Sequence, residues 1–443
     1  MNFEEFRDRL FAEALRKGCE AAETFGVEGE NFSVSVLDGQ IDRYSVSRSA
    51  SVGLRVQSGG KNGYAYTEVY EEPETLVGQA VDNARCIEIG DEHPMQTPQR
   101  YQSIENPHDP LGELTEAQKI SLALKMERAA LDFDPRVKRV NHCQIATRSS
   151  RVRIHNTLGL AAENQSNLGY CLVQAVVAEG EEHKSAFAFR MGAKGGEIEE
   201  CAQEAAREAI AQLGASPVPA GTYRVVLRND AAADILQAFV PMFSADMAQK
   251  GLSLLSGREG QTIAAPYLTI VDDPFVADFP SAFDDEGTPC EKKTLVDGGK
   301  LVTLLHNLKT AKKAGIRSTG NAGRASAASP VGVAPTNLFL LPGEQSFDEM
   351  VGELQDGLVV TEVSGLHAGV NTVSGEFSLL AKGLLVKGGK PVRPVARITI
   401  AGTFFGLMKG VLAIGSDLFF GLPGNGRIGS PSLLVDRLVV SGE

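Results

Sequence analysis

Tryptophan is absent from the 443 residues, and only seven histidines and six cysteines are present. The cysteines, Cys19, Cys86, Cys143, Cys171, Cys201 and Cys290, are widely spaced and form no CxxC pair. That excludes a zinc knuckle and argues against a disulfide framework; free buried thiols in a reducing compartment are the expectation. No histidine lies between His183 and His306, and no cysteine follows Cys290. No apolar run approaches the ~18 residues of a membrane span. The first residues carry Glu4 and Glu5 where a secretory signal would carry bases, so the expected location is cytoplasmic. Basic runs are missing too. With a net charge of −13, sequence-independent nucleic-acid binding is disfavoured, because it needs a basic surface to displace counterions.

Nucleotide and serine-hydrolase signatures are also lacking. The chain has no GxSxG, and Ser58-Gly59-Gly60-Lys61 lacks the Walker spacing and reads as a hairpin turn. Gly424, Gly426 and Gly429 have the dinucleotide-fingerprint spacing, but Ser430-Pro431 follows where a helix is required. A mobile loop is expected there.

What is present fits a soluble globular protein of two or three domains, with 43% hydrophobic and 22% charged residues and 47 glycines. Phe3, Phe6, Leu10, Phe11, Leu15 and Cys19 recur at three- and four-residue steps and predict a helix over 3–25. The period then changes to two. Strands over 31–37, 41–47, 51–57 and 64–69, with turns at Asp38-Gly39 and 58–63, predict an antiparallel meander. A helix over 72–87 follows, with Pro73 in its first turn, where the missing N–H costs nothing. A proline-bearing loop over 89–111 leads to a second cycle of the same grammar. It has a helix over 115–133 opened by Thr115, strands over 137–147, 151–156, 161–165, 170–178 and 185–190, and a helix over 198–213. The class is α+β: an N-terminal helix and antiparallel-sheet domain over 1–214, in two helix–meander–helix cycles of about 1–88 and 114–214.

Residues 215–221, rich in Pro, Gly and Ala, read as the interdomain linker. Beyond it, a strand over 222–227 and a helix over 230–249 are followed by short strands over 268–271, 293–296, 301–305, 338–341, 358–363, 383–387, 395–400 and 433–440. Many short strands with glycine turns predict a β-rich, barrel-like or sandwich C-terminal domain over 222–443.

One stretch organises this half. Phe283-Asp284-Asp285-Glu286-Gly287 makes an acidic turn closed by Pro289. A hairpin about Asp297-Gly298-Gly299-Lys300, a short basic helix over 308–314 and the polar loop Ser318-Thr319-Gly320-Asn321-Ala322-Gly323-Arg324 follow. Some eighty residues after the turn come Gly365-Leu366-His367-Ala368-Gly369-Val370-Asn371 and Gly375-Glu376-Phe377-Ser378. In this order the segments resemble those of the TldD/PmbA family, and the resemblance extends through most of the chain.

The resemblance implies a barrel-like C-terminal domain and a link to metallopeptidases. In the catalytic, TldD-like branch, a helix carries HExxxH: the histidines bind a metal, the glutamate is general base toward a bound water, and a cysteine near the C-terminus adds a ligand. Anchored on Lys250-Gly251 and Ser256-Gly257, the first His position falls on Leu236, the Glu on Gln237 and the second His on Pro241. Leucine and proline offer no lone pair to a metal, and an amide does not take a proton from water near neutral pH. The pattern resembles the PmbA (TldE) branch, the non-catalytic partners of a TldD-like subunit in a complex that cuts unfolded peptides. The resemblance thus implies no cofactor in this chain, a metal only in a TldD-like partner, and an unfolded peptide as substrate. It also allows a homodimer when the chain is alone. The family's older label, modulator of DNA gyrase, implies an indirect effect, since the acidic balance disfavours DNA contact. The alternative is a homo-oligomeric binding or regulatory protein of the same fold.

Candidate cleft residues for substrate or partner are Phe283, Asp284, Asp285, Glu286, Gly287, His367 and Asn371. The three acids read as turn-fixing acceptors of backbone N–H groups, with a hard-cation site as the alternative. His367 reads as a histidine hydrogen-bonded to backbone in a glycine-rich turn, or as lining a cleft. His306, beside an apolar run, reads as a core histidine.

Overall fold

A computed structural model describes residues 1–87, 93–276, 279–424 and 426–442. The chain forms two compact units: 1–213 with 277–289 and 324–331, and 214–276 with 290–323 and 332–443. The acidic turn therefore belongs by its contacts to the N-terminal unit, although it lies some sixty residues beyond the linker.

In the N-terminal unit the two cycles build one antiparallel six-stranded sheet. The elements are α1 (Phe3–Arg16), β1 (Ala21–Leu37), β2 (Gln40–Ser58), β3 (Lys61–Thr67) and α2 (Pro73–Arg85), then α3 (Glu116–Leu131), β4 (Val137–Asn156), β5 (Ala161–Glu179), β6 (Glu182–Met191) and α4 (Gly195–Ile210). The strand order is β3-β2-β1-β4-β5-β6, so the two meanders meet back to back along the β1–β4 ladder. This gives the sequence repeat a structural meaning. Each helix pair covers its own end of the sheet. Phe6, Leu10, Leu76, Val77 and Ala80 pack with Val52, Leu54 and Val56, while Ala123, Met126, Ala130, Ala202 and Ala206 pack with Ile145, Cys171 and Val173. The β1–β2 hairpin turns through Asp38 and Gly39, both with positive φ (52° and 73°), the conformation that suits the right-handed twist of the flanking strands.

The C-terminal unit holds a closed five-stranded barrel. Strands Gly221–Leu227, Gly357–Ser364, Glu376–Lys387, Lys390–Thr403 and Leu433–Ser441 pair in sequence round the ring, and the Lys390–Thr403 to Leu433–Ser441 ladder closes it. Strands buried on both faces read as unbroken apolar runs, and Val225-Val226-Leu227 shows why. Val225 and Leu227 join the main core, which includes Phe239, Phe377 and Phe404. Val226 points the other way, among Met350, Val351 and Leu354 of helix Phe347–Leu354. A second six-stranded sheet, with strands Ile270–Asp272 and Asn337–Leu340 at its centre, completes the unit.

The α+β class and the barrel agree with the expectation, but several boundaries do not. The first helix ends at Arg16 and not at residue 25, because Gly18 takes φ 79° and starts the turn into β1. Strands predicted separately at 41–47 and 51–57 are one strand of nineteen residues, and those at 137–147 and 151–156 one of twenty. A polar mid-strand stretch such as Ser45–Ser51 broke the alternation without breaking the ladder. The helix over 230–249 is three pieces, Asn229–Phe239, a 3-10 turn Val240–Phe243 and Ala245–Gln249, because Pro241 lacks the N–H to continue it. The strand over 301–305 reduces to Lys300–Leu301. The loop over 89–111 starts at residues outside the described ones; from 93 to 109 it holds no helix or strand. No helix among the described residues is long and apolar enough to cross a membrane.

Candidate functional site

The acidic turn folds on itself first. Asp284 Oδ1 accepts the backbone N–H of Glu286 (3.0 Å) and of Thr288 (2.9 Å). The Asp284 N–H donates to the Thr288 carbonyl at 2.9 Å, and Gly287 N–H to the Asp284 carbonyl at 2.8 Å. Gly287 has φ +74°, and a Cβ there would meet Leu160 Cδ2 at 2.7 Å, so both backbone and space call for glycine. The Tyr101 hydroxyl donates to the Gly287 carbonyl at 2.8 Å, and its ring packs on Phe283 with centroids 5.0 Å apart. Phe283 anchors the turn among Phe25, Ile154, Leu160 and Ala327.

The remaining acids meet Arg324 and His93. The Arg324 backbone N–H donates to Asp285 Oδ2 at 2.7 Å. Its guanidinium donates to Glu23 Oε1 at 3.0 Å, and Arg55 donates to Glu23 Oε2 at 3.0 Å. Side chains of Glu23, Arg55 and Arg324 are all at most 2% exposed, so one carboxylate of β1 bridges two guanidinium groups away from water. The Arg324 guanidinium also lies over the Phe25 ring at 4.7 Å. Glu286 hydrogen-bonds through Oε1 to His93 Nε2, both fully buried. Burial pushes the Asp285 carboxyl up to about 6, against the pull of the Arg324 N–H and charge. The three acids are thus employed in fixing this turn and holding it to His93 and to Arg324, whose guanidinium reaches Glu23 of β1.

Glu23, Arg55 and His93 escaped notice in the sequence, and Arg324 was read only as the end of a polar loop. Each is separated from the turn by 39 to more than 250 positions, and no spacing rule connects an acid on one strand with a base on the next.

In the C-terminal unit, helix Asn229–Phe239 places Leu236 in the core at 2% exposure and leaves Gln237 exposed. Pro241 is exposed in the 3-10 turn beyond it. Gln237 lies beside the loop that carries Gly421 and Gly424; residue 425, in the glycine-spaced stretch expected to be a mobile loop, is outside the described residues. The short helix Leu366–Gly369 packs against the same helix and presents His367 to solvent. Among the described residues the His367 ring makes no hydrogen bond, so the backbone bond expected of it is not there. Asn371 caps a turn, accepting the N–H groups of Val373 (2.9 Å) and Ser374 (3.0 Å). His367 and Asn371 thus fall in one unit and residues 283–287 in the other. Burial, with the Asp230 and Glu362 charges, raises the Asp234 carboxyl to about 6 on this helix. Among the described residues no three His, Cys, Asp or Glu side chains are grouped to hold a metal ion.

The Ser318–Ala322 loop has a structural role. Asn321 donates to Asp272 Oδ2 (2.7 Å) and to the Ala334 carbonyl (3.0 Å), and accepts from Lys293 (2.9 Å) and Thr319 (2.8 Å). Asp272, fully buried, also receives Lys293 at 3.1 Å and the Thr336 N–H at 2.8 Å. His306 is buried, and burial lowers its pKa.

An antiparallel six-stranded sheet with paired helices in one unit and a closed five-stranded barrel in the other define a class that comparison with known proteins identifies. The PmbA/TldA metallopeptidase models match in three parts: domain 1 over residues 22–84, the central domain over 109–213 and the C-terminal domain over 220–442. The chain belongs to the PmbA/TldD family. It is similar to a metalloprotease of Methanothermobacter thermautotrophicus, 27% identical with 90% of this chain and 88% of that one covered. It is also similar to the metalloprotease PmbA of Escherichia coli O157:H7, 24% identical with 93% and 90% covered. A Thermotoga maritima protein solved as a candidate modulator of a DNA gyrase superposes with TM-score 0.90 at 35% identity, covering 99% of this chain and all of that one. TldE from Thermococcus kodakarensis shares the fold with TM-score 0.89 at 20% identity, over 99% and 100% of the chains.

Proposed function

We propose that this chain is a PmbA/TldE-type subunit that lacks catalysis of its own and works with a TldD-like metallopeptidase on unfolded peptides in the cytoplasm. One observation carries the reading: the three positions aligned with the family's HExxxH hold Leu236, Gln237 and Pro241. Hydrolysis by a metal of this kind requires imidazole or carboxylate donors and a base near the bound water. A buried leucine, an exposed amide and a proline do not fit such an ion. The metal would belong to the partner.

Substrate contact in this reading is backbone pairing, which recognises an extended chain and not a sequence. Residues 40–51 of β2 support it: β1 is their only ladder partner among the described residues, so their other edge offers unpaired N–H and C=O groups. The gyrase label attached to a relative would then report an indirect effect of peptide turnover.

The test is to mix the purified chain with a TldD-like protein of the same organism and follow cleavage of an unstructured peptide. The mixture should cleave faster than the partner alone. Equal rates, or chelator-sensitive cleavage by this chain alone with stoichiometric bound metal, overturn the proposal. A stable homodimer with no affinity for any TldD-like protein would favour the regulatory alternative.

A further inference from the structure

The register of the N-terminal sheet sorts its charges between two faces. All four helices lie on one of them. Phe32, Val34 and Ile145 pack with α3 and α4, and Val52 and Leu54, on the same side by the pairing, pack with α1 and α2. The midsection of the sheet comprises residues 27–35 of β1, 43–51 of β2, 144–152 of β4 and 163–172 of β5. Its carboxylates, Glu28, Glu30 and Glu163, are all in register with that helix side.

The opposite face has no helix over it. Phe283 of the acidic turn and Ala327 close one end, against Phe25 and Ile154. Across the midsection its side chains are hydroxyls, amides and uncharged small or apolar groups, with two exceptions. Arg43 stands in the row of Ser35 and Gln144, and Arg148 in the row of Asn31 and Ser47, four residues or about 14 Å away along the strands. Arg148 is exposed and makes no ion pair or side-chain hydrogen bond among the described residues. Arg43, its side chain 87% exposed, meets the adjacent Asp42 at 3.6 Å. This face is therefore cationic in a chain of net charge −13. It is bordered by the unpaired outer edge of β2 over residues 40–51. A strand added at that edge would set every second side chain beside the open-face row of Arg43, Ser45, Ser47 and Ser49, at the distance of a cross-strand pair.

We propose that the open face selects acidic peptides: an extended chain paired to the β2 edge is favoured when the side chains it turns to this face are carboxylates. Arg43 pairs with them directly, and Arg148, two strands further in, adds to the field. An ammonium in the same place meets two like charges and no acid. The proposal rests on the backbone-pairing reading above and adds a substrate class to it. Its sign is informative, because the net charge of the whole chain would draw basic peptides at long range.

Fluorescence anisotropy of the full chain at low salt, with labelled dodecapeptides that alternate Thr with Glu, Gln or Lys, tests it. The Glu peptide should bind about fivefold more tightly than the Gln peptide, and the Lys peptide most weakly. Arg43→Ser with Arg148→Ser, both at exposed positions, should bring the Glu and Gln peptides within about twofold of each other. Arg48→Ser, on the helix side of the same strand, should leave the preference as it was. Equal affinities, a preference for Lys, a Glu preference that survives the double substitution, or no binding at all overturns the proposal. So does a dimer of this chain that excludes all three peptides, since a second copy would then hold the edge. Cleavage stimulated in a TldD-like partner without any Glu preference would leave the subunit reading standing and remove this one. A Glu preference lost with the arginines, but with no stimulation of the partner, would do the reverse.

Discussion

The backbone N–H of Arg324 sits 2.7 Å from Oδ2 of Asp285, a carboxyl whose burial raises its pKa to about 6. Folded Asp285 therefore keeps its proton to higher pH than it would unfolded, where 3.8 is ordinary. Between those values the folded state binds more protons, so this group's contribution to stability falls as pH rises from about 4 to about 6 and is level above that. The decline is at most about 3 kcal/mol for a shift of roughly two units. Asp285→Asn should remove it, as read by urea unfolding at intervals from pH 4 to 7. A residual slope of the same sign is expected from Asp234, raised to about 6 in the other unit; an unchanged slope would count against the Asp285 assignment.

Glu23 holds two guanidinium groups at 3.0 Å each, all three side chains buried. Glu23→Gln should cost about 3–5 kcal/mol, because it leaves buried cations without their counter-charge. Chemical denaturation measures this directly. A loss under about 1 kcal/mol would mean that water reaches the cluster.

Gly287→Ala should destabilise the N-terminal unit. The left-handed backbone at φ +74° costs an L-residue about 1–2 kcal/mol, and the added methyl falls 2.7 Å from Leu160 Cδ2. The lower melting temperature should be accompanied by a change in the near-ultraviolet signal of Tyr101, whose hydroxyl is bonded to the Gly287 carbonyl.

Neighbouring positions on helix Asn229–Phe239 should behave in opposite ways. Leu236→Ala should cost about 2–5 kcal/mol, since it hollows the barrel unit's core. Gln237→Ala, exposed, should stay within about 0.5 kcal/mol of wild type. If peptide cleavage in the presence of a TldD-like partner fell sharply in Gln237→Ala with stability unchanged, Gln237 would have a role in the chemistry, contrary to the proposal.

Local order was legible in the residues themselves. Period-two alternation announced the meanders, Thr115 and Pro73 marked helix starts that the structure keeps, and the helix over 308–314 stands at Leu308–Ala314. These features depend on neighbours within a few positions, where side-chain periodicity and backbone sterics act. The family segments were legible for a different reason: residues such as Asp284, Gly287 and Asn321 satisfy their own turns or a buried network with few substitutes.

Only the tertiary structure decided where those segments go. It brought the acidic turn into the N-terminal unit and set Glu23 against Arg55 and Arg324. It also paired Glu286 with His93. Such choices turn on desolvation: whether a charge is buried, and with which partner, depends on the packing of strands far apart in sequence, and no local pattern encodes that.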